Sequence, residues 1–258
     1  MRVSFQGGAG FQLAGIVDLP NIAPKGMAVF AHCFTCTKDI KVVVRLSRGL
    51  AEHGFGVLRF DFTGLGDSLG DFSLTNFSTN QADLQAAISY CASEFQPPQI
   101  LIGHSFGGAC ALSIAGQLSN VLGIVTLASP SDTQHLAALL KRKNPAIEQF
   151  GSGSVTIGGR NYTITRQMLE DFQRFDLALE LSRLEKPVTL FHSPVDETLG
   201  FDHALRLYGL LTQRPNNGFQ ASSTNLICLP GADHLLANNP KDLIFVTDTI
   251  AAWFNRLI

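Results

Sequence analysis

Residues 100–110 read ILIGHSFGGAC. The apolar run Ile100-Leu101-Ile102 does not end in the Asn, Asp or Pro of a solvated turn. It ends in Gly103-His104-Ser105-Phe106-Gly107-Gly108. Gly103 to Gly107 fits the pattern G-x-S-x-G, and its setting matters more than its letters. A strand-like run leads in and a helix-like run, SFGGACALSIAGQL, leads out. A strand-to-helix turn this tight leaves no space for side chains at the flanking positions, so glycine is needed on both sides. Ser105 is then expected in a strained backbone conformation, with its hydroxyl projecting from the C-terminal edge of a sheet. The N–H of Phe106, at the helix start, would point at the same spot, where the helix dipole favours an oxyanion.

Outward from this turn, the chain alternates. RVSFQ and FQLAGIVDLP around Gly7-Gly8-Ala9-Gly10 predict an opening β-hairpin. GMAVFAHC, FGVLRFDF, QILIGH, VLGIVTLASP, KPVTLFHSP and STNLICLP predict strands. Between them, KDIKVVVRLSRGLAEHG places Ile40, Val43, Val44, Leu50 and Ala51 on one helical face, with Gly54 where a helix C-cap belongs. TNFSTNQADLQAAISYCASEF has Ser, Thr and Asn starters for a second helix. A last helix from Pro240 to Leu257 aligns Leu243, Val246, Ile250, Trp253 and Phe254. Strand–helix alternation predicts βαβ units and an α/β fold: a mostly parallel sheet of about eight strands, flanked by helices, with the first hairpin antiparallel at one edge.

The rhythm breaks after residue 130. SDTQHLAALLKRKNPAIEQF reads as helical, SVTI and NYTI as short strands around Gly158-Gly159-Arg160, and a short helix follows. Residues 131–183 are therefore read as an inserted cap, and 1–130 with 184–258 as the core. Leu136, Leu139, Leu140, Ile147, Phe150, Ile157, Met168 and Phe172 of this segment either line an acyl or aryl pocket or pack on one another.

A serine hydroxyl is a weak nucleophile without a base, and the base needs a group to orient it. Both belong at the ends of later strands, acid before histidine. VTLFHSPVDETLG offers Asp196 and LICLPGADHLL offers His234. Glu197, Asp202 and Asp233 are the alternative orienters; Asp196 stands nearest its strand end. His192 is near enough to line the site. His53, His135 and His203 fall in predicted helices and read as solvated, with His135 a candidate on the cap.

These features resemble the serine α/β-hydrolases over nearly the whole chain. LRFDFTGLGDS at 58–68 is similar to the Asp-x-x-Gly-x-Gly-x-Ser loop common there. HCFTCTKD, FDFTGLGDS, TNFSTN, HSPVDE and GADHLL are similar to bacterial hydrolases often fused to an OsmC-type domain, and the 258 residues are expected to hold no such domain. The FDFTGLGDS loop and the inserted cap also resemble the cinnamoyl/feruloyl esterases. The resemblance implies a Ser105–Asp196–His234 triad. It implies a second oxyanion donor in the loop after the first long strand, often His-Gly-X; here the segment is His32-Cys33-Phe34, and the Phe34 amide takes that position. His32 is expected to brace this loop and His104 to pack beneath the elbow. With Cys33, Leu136 and Leu140 they are the residues expected around the substrate. The implied reaction is hydrolysis of a small to medium acyl or aryl ester, without metal or organic cofactor. A thioesterase or acyltransferase would use the same triad, and a non-catalytic binding protein is the rival from another class.

Composition is consistent with this. The net charge is -2, with 45% hydrophobic and 16% charged residues, so a large core is available and no basic stripe suggests nucleic acid. No apolar run is long enough to span a membrane, and MRVSFQGGAGF does not read as a signal peptide. Five cysteines, Cys33, Cys36, Cys91, Cys110 and Cys228, are too few and too odd in number for a disulfide framework, which favours a reducing cytoplasm. Cys33 and Cys36 form a CxxC, but no second ligand pair suits zinc, so they are read as residues of the site loop rather than a redox or metal pair. The glycines 64, 66 and 70 do not match the spacing of a dinucleotide fingerprint and read as a structural loop.

Overall fold

A computed structural model describes residues 1–213 and 223–258. Most of QRPNNGFQASSTN, the stretch that reads as most loop-like, lies outside the described residues. The strands are β1 (Arg2–Gln6), β2 (Gln12–Asp18), β3 (Met27–Ala31), β4 (Gly56–Phe60), β5 (Ile100–His104), β6 (Gly123–Leu127), β9 (Val188–His192) and β10 (Thr224–Cys228). They form one eight-stranded sheet in the order β1-β2-β4-β3-β5-β6-β9-β10. β1 and β2 pair antiparallel, β2 meets β4 antiparallel, and the remaining pairings are parallel. The central strands are buried on both faces, so they are apolar without interruption. Period-two alternation still divides them: Ala28 and Phe30 of β3 join one core cluster, Met27, Val29 and Ala31 the other.

Helices α1 (Lys41–Glu52) and α9 (Pro240–Leu257) cover the first face through Val43, Leu46, Leu50, Val246, Ile250 and Phe254, and Phe55 stacks on Phe254 at 4.2 Å. Gly54 closes α1 in the left-handed conformation, with φ +94°. Helices α2 (Phe77–Glu94), α3 (Phe106–Ile114) and α8 (Asp202–Thr212) contribute to the cluster on the other face. Asn76 caps α2, exchanging hydrogen bonds with Thr79.

Residues 131–183 hold α4 (Gln134–Lys143), α5 (Ala146–Phe150), the hairpin β7 (Ser152–Ile157) and β8 (Arg160–Thr165), α6 (Arg166–Arg174) and α7 (Leu177–Ser182). The stretch 131–150, which reads as helical, holds two helices. Pro145 disfavours helical backbone at the residue before it, and Asn144 is extended with φ −148° and ψ 93°. Gly158 and Gly159 turn the hairpin at φ +55° and +78°, both in the left-handed region that a two-residue turn requires. The segment is tied to the sheet unit: Asp171 of α6 accepts from Ser78 N at 3.0 Å and Ser78 Oγ at 2.7 Å in the first turn of α2. Tyr162 of β8 donates its hydroxyl to Thr35 O at 3.1 Å. No described helix is long and apolar enough to cross a membrane.

Candidate active site

Ser105 follows β5 with φ +52° and ψ −121°. A non-glycine residue held there carries strain of order 1–3 kcal/mol, which the surroundings must hold. They do so by crowding. A Cβ on Gly103 would lie 2.3 Å from Gly107 O, and one on Gly107 would lie 2.2 Å from Ala31 O. Ser105 N also donates to Leu127 O of the neighbouring strand at 2.8 Å. The hydroxyl therefore leaves the sheet at the end of β5, and the Phe106 N–H is in the first turn of α3, where helical geometry supplies no acceptor.

The loops after β9 and β10 bring two more groups to that edge. His234 Nε2 is 3.1 Å from Ser105 Oγ, and its Nδ1 is 2.8 Å from Asp196 Oδ2. Asp196 Oδ1 accepts from the N–H groups of Thr198 and Leu199, each at 2.8 Å. Burial alone would raise this carboxyl, but the hydrogen bonds from His234 and from the Leu199 and Thr198 backbone outweigh it and hold the pKa below the usual range. Asp196 therefore carries its charge against the imidazole. Of its sequence rivals, Asp233 accepts from Ala237 N at 2.6 Å and closes the turn after His234, Asp202 opens α8, and Glu197 lies on the cavity wall.

Buried neutral histidines support these groups from below. His104 Nε2 donates to the His234 carbonyl at 2.8 Å, and burial, with the charge of His234 behind it, pushes the His104 pKa down to about 3. His192 Nε2 donates to Leu199 O at 2.9 Å and lies 3.7 Å from Asp196 Oδ2. His32 Nε2 accepts from Phe62 N at 3.3 Å, which leaves Nδ1–H to donate to Cys33 O at 2.8 Å. His32 and His104 are fully buried and lie behind the cavity wall rather than on it.

The loop after β3 carries Phe34. Here the expectation for the cysteines needs correction: Cys33 and Cys36 are joined by a disulfide, with Cα atoms 5.2 Å apart, and Cys91, Cys110 and Cys228 are free. The two residues between them form a tight turn in which Cys36 N donates to Cys33 O at 3.1 Å and Thr35 takes φ +60°. That geometry brings two sulfurs three residues apart within bonding range, which a count of cysteines does not reveal.

Beneath this loop lies a charged network that sequence reasoning missed. Lys38 is buried, and its Nζ contacts Asp61 at 2.7 Å and Asp67 at 2.6 Å. Asp61 also accepts from Lys38 N at 2.6 Å and Asp67 N at 2.9 Å. A Cβ on Gly66 would meet Asp61 Oδ2 at 2.1 Å, and Ser68 Oγ donates to Asp61 O at 2.6 Å. The FDFTGLGDS segment thus wraps the Asp61 carboxylate that anchors the Cys33–Cys36 loop through Lys38.

A cavity of about 670 Å³ opens over Ser105, walled by Cys33, Phe34, Phe106, His234 and residues of the 131–183 segment. From that segment Leu136, Leu139, Leu140 and Ile157 reach the cavity. Ile147, Met168 and Phe172 pack into the core beneath, and Phe150 is exposed. Some apolar residues of 131–183 thus line the cavity, and others pack in the core. Sequence reasoning missed Tyr162, Arg160 and Lys143 on the same wall. Among the described residues, Asp132, His135 and His203 are the one group placed to hold a metal ion.

The profile of the alpha/beta hydrolase family matches residues 28–245. The chain is an α/β hydrolase. Among solved structures, the hydrolase is similar to the esterase domain of a Rhodothermus marinus protein, at 36% identity over 99% of this chain and 98% of that one, with a TM-score of 0.77. It shares its fold with Est1E of Butyrivibrio proteoclasticus, solved with ferulic acid bound, at 19% identity, 99% coverage of each chain and a TM-score of 0.81. The α/β serine hydrolase without a lid from Xanthomonas campestris has the same fold at 20% identity, covering 99% of this chain and 94% of that one, with a TM-score of 0.66. No curated protein sequence matches the hydrolase.

Proposed function

We propose that this α/β hydrolase cleaves carboxylic esters through an acyl-enzyme formed on Ser105. The observation that carries the reading is the continuous line Ser105 Oγ–His234–Asp196, at 3.1 and 2.8 Å, opening into a largely apolar cavity. His234 Nε2 takes the serine proton as Oγ attacks the ester carbonyl, and the carbonyl electron pair moves onto oxygen. The Phe34 and Phe106 amides stabilise that oxyanion, each worth about 3 kcal/mol in comparable sites. Collapse expels the alcohol, which takes the proton from His234. Water then repeats the sequence, releasing the acid and restoring Ser105. Asp196 holds the imidazole and stabilises its cation. No step needs a metal or an organic cofactor.

The cavity volume of about 670 Å³ suits a small to medium acyl or aryl ester. Residues 131–183 act as its cap. The resemblance of FDFTGLGDS to the cinnamoyl esterase loop makes phenolic esters the specific class to test. A fluorophosphonate probe read by intact mass tests the reading: one adduct on the native chain, none on Ser105→Ala. No adduct on the native chain would overturn it in favour of a non-catalytic binding protein. A panel of alkyl esters, cinnamoyl esters and thioesters, with and without an acceptor alcohol, then separates hydrolysis from thioester cleavage and acyl transfer.

A further inference from the structure

We propose that Asp132, His135 and His203 form a binding site for a divalent transition-metal ion of the zinc type, which clamps the first helix of the 131–183 segment to α8. The three residues come from two distant segments. Asp132 is in the loop after β6, His135 in the first turn of α4, and His203 in the first turn of α8. One ligand atom from each lies within 4.8 Å of the others, and the His135 and His203 rings are 4.8 Å apart. Zinc bonds of about 2.0–2.2 Å to nitrogen and oxygen bring tetrahedral donors to within about 3.4 Å of one another, so small side-chain rotations complete the site.

The groups around the three residues suit that role. His135 Nδ1 donates to the Asp132 carbonyl at 2.8 Å, which leaves Nε2 free for an ion. Ser131 N donates to His203 Nδ1 at 3.2 Å, and Ser131 Oγ lies 2.9 Å from the same nitrogen, so the His203 ring is held in place from the Ser131 side. Arg206 Nη1 holds Asp132 Oδ2 at 3.0 Å and fixes the carboxylate plane, while Oδ1 faces His135. Two imidazoles and one carboxylate, with no thiolate, suit zinc, cobalt or nickel rather than magnesium or calcium.

The site is separate from the serine, and its ion would act on the cavity wall. His135 itself lines the cavity, and Leu136, Leu139 and Leu140 follow it along α4. An ion bridging α4 to α8 would fix the position of that helix.

The test is binding, so it stands or falls independently of the ester reading. The chelator-stripped protein is titrated with zinc chloride by calorimetry and weighed by native mass spectrometry. One zinc per chain and a raised Tm are expected. His203→Gln and Asp132→Asn should each weaken binding by at least about tenfold. Zinc should also shield His135 and His203 of the unmutated protein from diethylpyrocarbonate, while His53, exposed beside Asp248 on the α1–α9 face, reacts as before. That footprint needs no variant to fold. No retained zinc, unchanged affinity in both variants, or no shielding in the unmutated protein would each overturn the proposal.

Discussion

At the scale of single residues, the site depends on which proton sits where. Asp196 accepts three hydrogen bonds, and only one comes from His234; the two backbone donors fix the carboxylate before the imidazole reaches it. Asp196→Asn should keep most of that geometry, since Oδ1 can still accept from Thr198 and Leu199. The amide in place of Oδ2 would face His234 Nδ1 with a donor, forcing the proton onto Nε2, where it cannot take one from Ser105. We expect kcat to fall by about 10⁴-fold with little change in KM. A loss of only a few-fold, with the variant folded, would mean that Asp196 merely packs against the histidine. Such residues were legible in the sequence because strand ends place them. Ser105 is marked by glycines that sterics demand, and Asp196 and His234 by strands whose ends meet at one sheet edge. His104 and His32, expected both as supports and among the residues around the substrate, are fully buried behind the cavity wall.

At the scale of elements, the proposed reaction depends most on the position of the Cys33–Cys36 loop. It carries Phe34, whose ring lies 5.5 Å from that of Phe106, and it is held from three sides. The disulfide closes its turn, Lys38 anchors its far end on Asp61, and Tyr162 of the inserted hairpin bonds Thr35 O. Reduction by a small dithiol, in which the two reductant thiols become a disulfide as Cys33 and Cys36 become thiols, removes one of these constraints. On the proposed reading, in which the Phe34 amide is an oxyanion donor, ester turnover should fall several-fold through kcat, because a looser donor stabilises the charge less well. Cys36→Ser should start at the lower rate and be insensitive to the dithiol. Equal rates before and after reduction, with the free thiols confirmed by alkylation and mass, would show that Lys38 and Tyr162 suffice. The sequence did not reveal this arrangement because it depends on distance rather than pattern. A CxxC is compatible with a bond, a metal or neither, and the Lys38–Asp61 pair joins segments that only the sheet brings together. The Asp132–His135–His203 group was hidden for the same reason. The break at Asn144–Pro145 was readable from local rules, and the strong apolar periodicity on either side masked it.

At the scale of the whole molecule, the hydrolase buries several histidines in neutral form, and this sets its response to acid. His32, His104, His192 and His203 all have pKa values lowered from the ordinary 6.5, chiefly by burial. In the unfolded chain these groups take up protons once the pH falls below about 6.5, while the folded protein resists. Below that pH the unfolded state binds more protons, so stability present above it is lost progressively as acid is added. His104 is the clearest case: fully buried and lowered to about 3, it stays neutral across the whole interval. It should cost up to about 1.4 kcal/mol for each pH unit below 6.5. Asp196, Asp39 and Asp132 also have lowered values, but their stabilising contribution is present above the ordinary carboxyl pKa of 3.8 and is lost only as the pH falls below it. Asp83, raised by burial, works the other way and recovers stability on protonation. The decline should therefore begin near pH 6.5 and belong to histidines, well before the carboxylates contribute. Urea unfolding at a series of pH values between 7.5 and 5 measures it. His104→Gln keeps a donor for the His234 carbonyl and cannot ionise, so its slope should be shallower by close to one proton. An identical slope in the variant would mean that His104 is protonated in the folded protein, and that the carbonyl of His234 is held by a cation rather than by a neutral ring.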